Sequence, residues 1–266
     1  MTKKPRLWDT GERVPPESHN TLYLELLSAY EIARGLLRNG IVLDIGCGAG
    51  YGADHLAQDG RSVLGIDYES RVARAAARRY QRRGLAFACM DGMQLGVRNA
   101  SVDLACAFQV IEHFNDPERF LVELARVLRP SGLAILSTVN ALTHVGPQNP
   151  FHTHEFTPAE LKTLLNRYFA FVLLVGQRRP SEIYVLEQAC QRVRRWDVLG
   201  IKRLVPRRLV SLLVNAIALW NRVTPPQRMP LNSFPLTPHT DDAYNLFALC
   251  GHAPLPITAL APAADS

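Results

Sequence analysis

Residues 41–50 read Ile-Val-Leu-Asp-Ile-Gly-Cys-Gly-Ala-Gly, and this stretch decides the fold class of the chain. An apolar run carries one carboxylate, Asp44, and three glycines follow it at alternate positions: Gly46, Gly48 and Gly50. A second apolar run ends in Asp67, about twenty residues after the glycines. A strand, a glycine turn, a helix and a second strand are typical of the first half of a nucleotide-binding α/β sheet.

The residues around the glycines limit which ligand the turn can hold. A phosphate-binding P-loop needs a Lys followed by Ser or Thr after the glycines, and Tyr51 and Gly52 stand there instead. A dinucleotide site stays open, because Gly48-x-Gly50-x-x-Ala53 fits the dinucleotide fingerprint. An ordinary tight turn in a sheet without ligand is the remaining alternative.

Charge favours a third ligand. A carboxylate at the mouth of the loop, Asp44, would repel a pyrophosphate, and the loop contains no basic residue to offset it. S-adenosylmethionine carries no phosphate, and its ammonium and sulfonium groups are cationic. The carboxylate of Asp67 suits the two hydroxyls of its ribose. The sequence therefore favours S-adenosylmethionine as the cofactor.

Five segments in order resemble the class I S-adenosylmethionine-dependent methyltransferases. These are Val42–Gly52 for motif I, Gly65–Asp67, Ala88–Asp91, Ser101–His113 with its Gln-Val-Ile-Glu-His ending, and Glu123–Gly132. The resemblance implies an α/β fold: a doubly wound, Rossmann-like, mostly parallel sheet of seven strands. It also implies an enzyme that transfers a methyl group, but it does not specify the acceptor.

The cofactor residues follow from the ends of the predicted strands and from this resemblance, since ligands of open parallel sheets bind at the carboxyl ends of the strands. We assign the methionine part to Asp44, Gly46, Gly48 and Gly50. The ribose goes to Asp67, and the adenine to Asp91, Gly92 and Met93. Gln109, at the end of the fourth strand, is expected near the sulfonium.

His113 and Glu112 are the predicted catalytic residues. Methyl transfer to a hydroxyl needs a base, and imidazole titrates near neutral pH. His113 is therefore the predicted base, and Glu112 would orient it or the substrate. The equally weighted alternative is that both residues only shape the loop after the fourth strand.

A second cluster of polar residues, His152, His154 and Glu155, precedes a predicted helix. We predict that the two histidines contact substrate. Together with Glu112 and His113 the cluster has side chains that suit a divalent ion. Small-RNA 2′-O-methyltransferases are somewhat similar, but Gln109 stands where they have a glutamate. The sequence therefore predicts no metal.

The predicted function is O-methylation of a small molecule, sugar or lipid-linked glycan by S-adenosylmethionine. Residues 11–17 and 149–157 resemble a bacterial branch that is often linked to sugar or glycan modification. The alternatives are a metal-assisted RNA 2′-O-methyltransferase and a non-catalytic module that binds S-adenosylmethionine. Nucleic acid is a disfavoured partner, because few aromatic residues accompany the basic ones and no RNA-binding motif occurs.

We predict four parts of the 266-residue chain. They are an N-terminal arm (1–20), a methyltransferase domain (21–180 and 241–252), a helical basic cap inserted before the last strand (181–240) and a disordered tail (253–266). Residues 178–228 carry eleven Lys or Arg and three acids, a net charge of +8 against +6 for the whole chain. Residues 206–222 form either a packed cap helix, which we favour, or an interfacial helix on anionic lipid.

Cysteine usage and the N-terminus indicate a cytoplasmic protein. The five cysteines form no Cys-x-x-Cys pair, which is typical of reduced thiols. The basic start of the chain is not followed by the apolar segment of a signal peptide. We expect a cytoplasmic location, with peripheral contact at the inner membrane face as the alternative that residues 206–222 raise.

Overall fold

The computed structural model describes residues 21–36, 39–144, 149–183 and 229–256. The helices are α1 (Thr21–Leu36), α2 (Tyr51–Ala57), α3 (Ser70–Arg79), α4 (Pro117–Val127) and α5 (Pro158–Leu165). The strands are β1 (Ile41–Ile45), β2 (Ser62–Asp67), β3 (Leu85–Cys89), β4 (Val102–Phe108), β5 (Leu128–Val139), β6 (Phe171–Gln177), β7 (Leu236–Thr237) and β8 (Asn245–Gly251). Helices alternate with strands through β6, except that β4 follows β3 with no helix between them. This alternation is expected of an α/β domain.

The strands form one sheet in the order β3-β2-β1-β4-β5-β8-β6-β7. Strands β1 to β5 pair in parallel, and β8 lies antiparallel between β5 and β6. The strands β2 and β3 continue the sheet on one side of β1, and β4 and β5 continue it on the other side. This change in strand order opens a crevice at the carboxyl ends of β1 and β4. The predicted doubly wound, mostly parallel α/β fold is confirmed.

Among the described residues the sheet has eight strands, one more than the predicted seven. The additional strand, β7, is two residues long and pairs antiparallel with the end of β6. Sequence periodicity cannot identify so short a segment, because alternation needs at least four residues. Strand β7 also lies inside the range predicted for the cap, 181–240. Most of that range lies outside the described residues, so the division into domain and cap stays a prediction.

Strand β5 begins earlier than its sequence suggests. It starts directly after α4, at Leu128, whereas Pro130-Ser-Gly132 reads as a turn. The pairing with β4 is irregular here: Val102 lies opposite Leu128, but Leu104 lies opposite Leu133. A bulge of this kind accommodates the proline and the glycine inside a paired strand.

The core lies on both faces of the sheet. One face packs against α4 and α5 through fully buried side chains such as Phe120, Leu124 and Leu161. The other face packs against α1 and α2, through Tyr30 and Leu56 among others. Each helix presents one apolar stripe to the sheet, which produces a three-layer arrangement.

Several predicted segments lie outside the described residues: the N-terminal arm 1–20, most of the basic cap, the helix at 206–222 and residues 257–266 of the tail. Within the described parts of the chain, no helix is both long enough and apolar enough to cross a membrane.

Candidate active site

A cavity of about 470 Å³ lies at the carboxyl ends of β1, β2, β3 and β4. Eight of the residues predicted to hold cofactor or to act in catalysis line it. They are Gly46, Gly48, Asp67, Asp91, Gly92, Met93, Gln109 and His113. The fold brings them together because each follows a strand of the same parallel sheet.

The wall of the cavity is acidic at the ends of β2 and β3. Asp67, Glu69 and Asp91 line it, whereas no Lys or Arg does so among the residues that the structure describes. The carboxylate of Asp67 accepts a hydrogen bond from the Glu69 amide (2.9 Å), and that of Asp91 from the Met93 amide (2.8 Å). These local bonds fix the two carboxylates at the turns that follow the strands.

Asp44 does not line the cavity, in contrast to the direct cofactor contact that we expect from the sequence. Its side chain is fully buried, and the Tyr30 hydroxyl donates to both carboxylate oxygens (3.0 and 3.2 Å). Burial raises the pKa of Asp44 to about 8. The acidic residues that line the cavity are therefore Asp67, Glu69 and Asp91, and Asp44 instead links α1 to β1 through Tyr30.

The glycine loop packs directly against the loop after β4. A Cβ on Gly46 would lie 2.5 Å from Cγ2 of Val110, and Gly46 has φ +72°. The residue before Val110, Gln109, adopts φ 55°, a conformation that is uncommon for a residue with a side chain. The backbone amide of Gln109 donates to the Ser137 carbonyl (2.9 Å). Backbone strain at a cavity wall is typical of functional sites.

Gly50 lies outside the lining of the cavity. It precedes α2 in the left-handed conformation, and a Cβ there would meet Ala76 and Phe87. Its position indicates a role in closing the turn and packing α3 against the sheet, and its predicted contact with the cofactor stays a prediction.

His113 closes the cavity at the end of β4, in a short 3-10 helix. Its Nδ1 lies 3.0 Å from the carbonyl oxygen of Phe151. A carbonyl can only accept a hydrogen bond, so Nδ1 carries the proton and Nε2 of the neutral ring carries the lone pair. This tautomer suits either a general base or a metal ligand.

Glu112 and His152 lie next to His113. Glu112 is fully buried, and its Oε2 accepts from the hydroxyl of Thr138 (2.9 Å). The ring of His152 packs edge to face on His113, with centroids 5.1 Å apart. One ligand atom from each of the three residues lies within 4.8 Å of the other two.

The carboxylate of Glu155 supports this cluster through contacts with His152 and His144. Its Oε1 lies 2.7 Å from Nδ1 of His152, and its Oε2 lies 2.6 Å from Nδ1 of His144. Burial raises the pKa of Glu155, but the two histidine hydrogen bonds outweigh that effect and hold its pKa below the usual value. The arrangement fixes the ring of His152 beside His113.

His154 lies apart from His152. Its side chain is about half exposed and faces Glu160 at 3.9 Å, on a separate surface groove beside α5. On an extended segment, residues two positions apart point to the same side, so an extended segment would place His152 and His154 together. The segment here contains turns instead, so sequence spacing could not place the two histidines.

Several cavity residues were not singled out from the sequence. The helix α1 contributes Leu26 and Tyr30, α2 contributes Tyr51, and the loops contribute Phe114 and Phe151. Aromatic residues at these positions also suit a core, and nothing in their spacing separates the two roles. Only the tertiary structure shows that these residues line the cavity.

Comparison with known proteins agrees with this geometry. Residues 43–136 match the family described as methyltransferase domain. This segment of the chain is thus similar to a methyltransferase domain. The matched residues include the glycine loop, the ends of β2 and β3, and the loop that carries His113, so the matched segment contains most of the cavity wall.

Curated relatives share the same part of the chain. A probable S-adenosylmethionine-dependent methyltransferase from Mycolicibacterium smegmatis is 43% identical over 128 residues, which cover 47% of this chain and 49% of the relative. One from Mycobacterium tuberculosis is 44% identical over 128 residues, with 47% and 46% covered. The chain thus matches about half the length of these relatives.

Solved structures extend the likeness in fold. A possible histamine N-methyltransferase from Thermotoga maritima superposes with a TM-score of 0.58 at 17% identity, covering 87% of this chain and 91% of that chain. The [4+2]-cyclase SpnF superposes with a TM-score of 0.55 at 20% identity, covering 86% and 82%. These matches confirm the Rossmann-like fold.

Proposed function

We propose that this protein is an S-adenosylmethionine-dependent methyltransferase that methylates a hydroxyl of a small molecule, a sugar or a lipid-linked glycan. The observation that carries the cofactor is the charge of the cavity wall: three carboxylates and, among the described residues, no Lys or Arg. Such a wall attracts a cationic, phosphate-free donor and disfavours a pyrophosphate. The names of the relatives support the same cofactor.

In this proposal the cofactor lies across the ends of β1, β2 and β3. The backbone of Gly46 and Gly48 holds the methionine part, Asp67 accepts from the ribose hydroxyls and Asp91 faces the adenine. Gln109 then lies near the sulfonium, at the boundary between the cofactor and the acceptor. The assignment of each residue rests on the strand end that it follows and on the resemblance of the sequence motifs.

The acceptor hydroxyl would enter at the end of the cavity that His113 closes. It must approach the methyl carbon in line with the bond to sulfur, and its proton must leave. His113 has its Nδ1 proton held by Phe151, so Nε2 can act on the hydroxyl. Two relatives named ubiquinone biosynthesis O-methyltransferase, 31% and 35% identical over 142 and 156 residues, support oxygen as the acceptor atom.

Calorimetry on the full chain tests the cofactor. We expect S-adenosylmethionine and S-adenosylhomocysteine to bind and NAD to give no heat. Preferential binding of NAD would overturn the proposal. The same titration separates a dinucleotide enzyme from a methyltransferase without knowledge of the acceptor.

Incubation with methyl-labelled S-adenosylmethionine and cell extract tests the reaction. We expect label in an extractable small molecule or glycan, and His113→Ala should reduce its formation by about 10²–10⁴-fold with cofactor binding retained. Binding without any labelled product would instead identify a non-catalytic module.

A further inference from the structure

We propose that Glu112, His113 and His152 bind a divalent first-row transition-metal ion at the acceptor end of the cavity. The inference rests on the proposed function and deepens it, because it assigns the means by which His113 acts on the acceptor. It also departs from the absence of metal that the sequence alone predicts. Three ligand atoms on two separate loops, all within 4.8 Å of one another, carry the proposal.

The donor set suits such an ion. Two imidazoles and one carboxylate are typical ligands of zinc, iron and related divalent ions, and they leave coordination positions open for water or substrate. Ligands of zinc lie about 2.0–2.2 Å from the metal, so neighbouring ligand atoms stand roughly 3.4 Å apart in a tetrahedral site. A cation would therefore draw the three side chains together by about an ångström, which is within the reach of side-chain rotation.

The hydrogen bonds behind the two histidines provide a second, independent indication. A metal-bound histidine usually donates its other ring N–H to a carboxylate or to a backbone carbonyl. His113 Nδ1 donates to the Phe151 carbonyl at 3.0 Å, and His152 Nδ1 lies 2.7 Å from the Glu155 carboxylate. Both contacts leave Nε2 as the lone-pair nitrogen. The two rings thus have the tautomer and the support that metal ligands need.

Burial of the third ligand fits the same role. Glu112 is fully buried, and its Oε2 is oriented by the Thr138 hydroxyl. A charged carboxylate away from water is costly, and coordination to a cation reduces that cost. Asn149 has its Nδ2 3.1 Å from Nε2 of His152 in this structure, and that bond would be exchanged for the bond to the metal.

The location of the cluster indicates what the ion would do. His113 lines the cavity, so an ion on its Nε2 has an open position toward the acceptor. The acceptor hydroxyl would coordinate there, lose its proton to solvent water and attack the methyl carbon of S-adenosylmethionine. The new O–C bond forms as the S–C bond breaks, and its electron pair stays on sulfur as S-adenosylhomocysteine. In this scheme His113 is a ligand, and the ion activates the oxygen.

Titration of the chelator-treated full chain with Zn²⁺ or Co²⁺ tests the site. We expect one equivalent to bind, with a Co²⁺ absorption spectrum that indicates nitrogen and oxygen ligands. His152→Ala removes a ligand and should abolish this spectrum. Glu155→Gln alters only the support of His152 and should weaken cation affinity by about 10–100-fold. Both variants leave the fully buried Glu112 unchanged, so they test the cation site without a substitution in the core.

His154→Ala is the matched control for cation affinity, because it removes a histidine two positions away that lies outside the cluster. Its affinity should equal that of the wild type. No bound cation, or equal loss in His154→Ala and His152→Ala, would overturn the proposal. Calorimetry with S-adenosylmethionine is independent of these readouts, so failure of the metal site is distinguishable from failure of the methyltransferase assignment.

The role in turnover has its own measurement. Chelator should suppress formation of labelled product, added Zn²⁺ or Co²⁺ should restore it, and affinity for S-adenosylmethionine should stay unchanged. A bound cation with full turnover in chelator would overturn the assigned role of the ion in catalysis.

Discussion

The two ends of the cavity are built in different ways. At the end that we propose for the cofactor, the cofactor end, backbone and carboxylates stand within two or three residues of a strand end, as with Gly46, Asp67 and Asp91. At the acceptor end, the side chain of His113 is held by Phe151, which lies 38 positions further along the chain. One end is determined locally by strand and turn, and the other depends on a contact between two distant loops.

This difference suggests that the two ends respond separately to mutation. A local turn can keep its shape when a distant loop moves, since its hydrogen bonds lie within a few residues. A contact between loops is lost when either loop shifts. The cofactor end should therefore tolerate changes at the acceptor end, whereas the acceptor end needs both loops in place.

Gly46→Ala should have the largest effect, because Gly46 packs against Val110 in the loop after β4 and so lies between the two ends of the cavity. The new methyl group would need φ +72° and would meet the buried, β-branched Val110 at 2.5 Å. Left-handed strain and overpacking together should cost about 2–5 kcal/mol of unfolding free energy, measured with urea. Cofactor binding and turnover should both be lost.

Gly60→Ala is the control for that substitution. Gly60 has φ +78°, but a Cβ there would meet nothing within 4 Å. Only the left-handed strain remains, about 1–2 kcal/mol. Equal destabilisation in the two variants would show that contact with Val110 contributes nothing.

Asp67→Ala should affect the cofactor end alone. Loss of charged hydrogen bonds to the ribose should weaken S-adenosylmethionine binding by about 1–3 kcal/mol, or roughly 5–150-fold, measured by calorimetry. Asp59→Ala is the control, because Asp59 pairs with Arg34 and Arg61 and lies outside the cavity lining. Unchanged affinity in Asp67→Ala would contradict the assignment of this residue to the ribose.

The same division explains what the sequence could and could not predict. Gly46, Asp67 and Asp91 line the cavity, and this location follows from strand ends and turn glycines that short spacing identifies, while their contact with a cofactor stays a prediction. Asp44 lies outside the lining, and nothing in its sequence neighbours indicates that Tyr30 of α1 packs over it. Whether a carboxylate faces a ligand or a tyrosine is decided by tertiary packing.

The acceptor end shows a second limit. Spacing suggests that the loops of His113 and His152 share one edge of the sheet, but it cannot tell His152 from His154. The separation depends on the turn that Asn149 and Thr153 stabilise. Strand β7 also depends on tertiary structure, since its two residues form a strand only through their pairing with β6. The sequence alone therefore does not predict it.

Thr153→Val should weaken the acceptor end and spare the cofactor end. The hydroxyl of Thr153 donates to the carbonyls of Glu112 (3.0 Å) and Phe114 (2.6 Å), and so joins the two loops. Its loss should cost about 1–2 kcal/mol of unfolding free energy and lower the rate of methyl transfer. Calorimetry should give the wild-type affinity for S-adenosylmethionine.

Thr163→Val makes the same chemical change on an exposed position of α5 and should leave the rate and the stability near wild type. A fall in cofactor affinity in Thr153→Val, equal to the fall in rate, would mean that the two ends of the cavity are not independent.

Asp44→Asn addresses the buried carboxylate beneath the cofactor end and should have the smallest effect over one pH unit. Burial raises the pKa of Asp44 to about 8, against an ordinary value of about 4 in the unfolded chain. Between these values the unfolded chain releases a proton that the folded protein keeps, so stability falls as pH rises and levels off above pH 8. From pH 6 to 7 the wild type should lose up to about 1.4 kcal/mol relative to the variant, since other groups titrate alike in both. An equal change in unfolding free energy for the two proteins from pH 6 to 7 would show instead that Asp44 is charged in the folded state. Its charge would then act on the cavity.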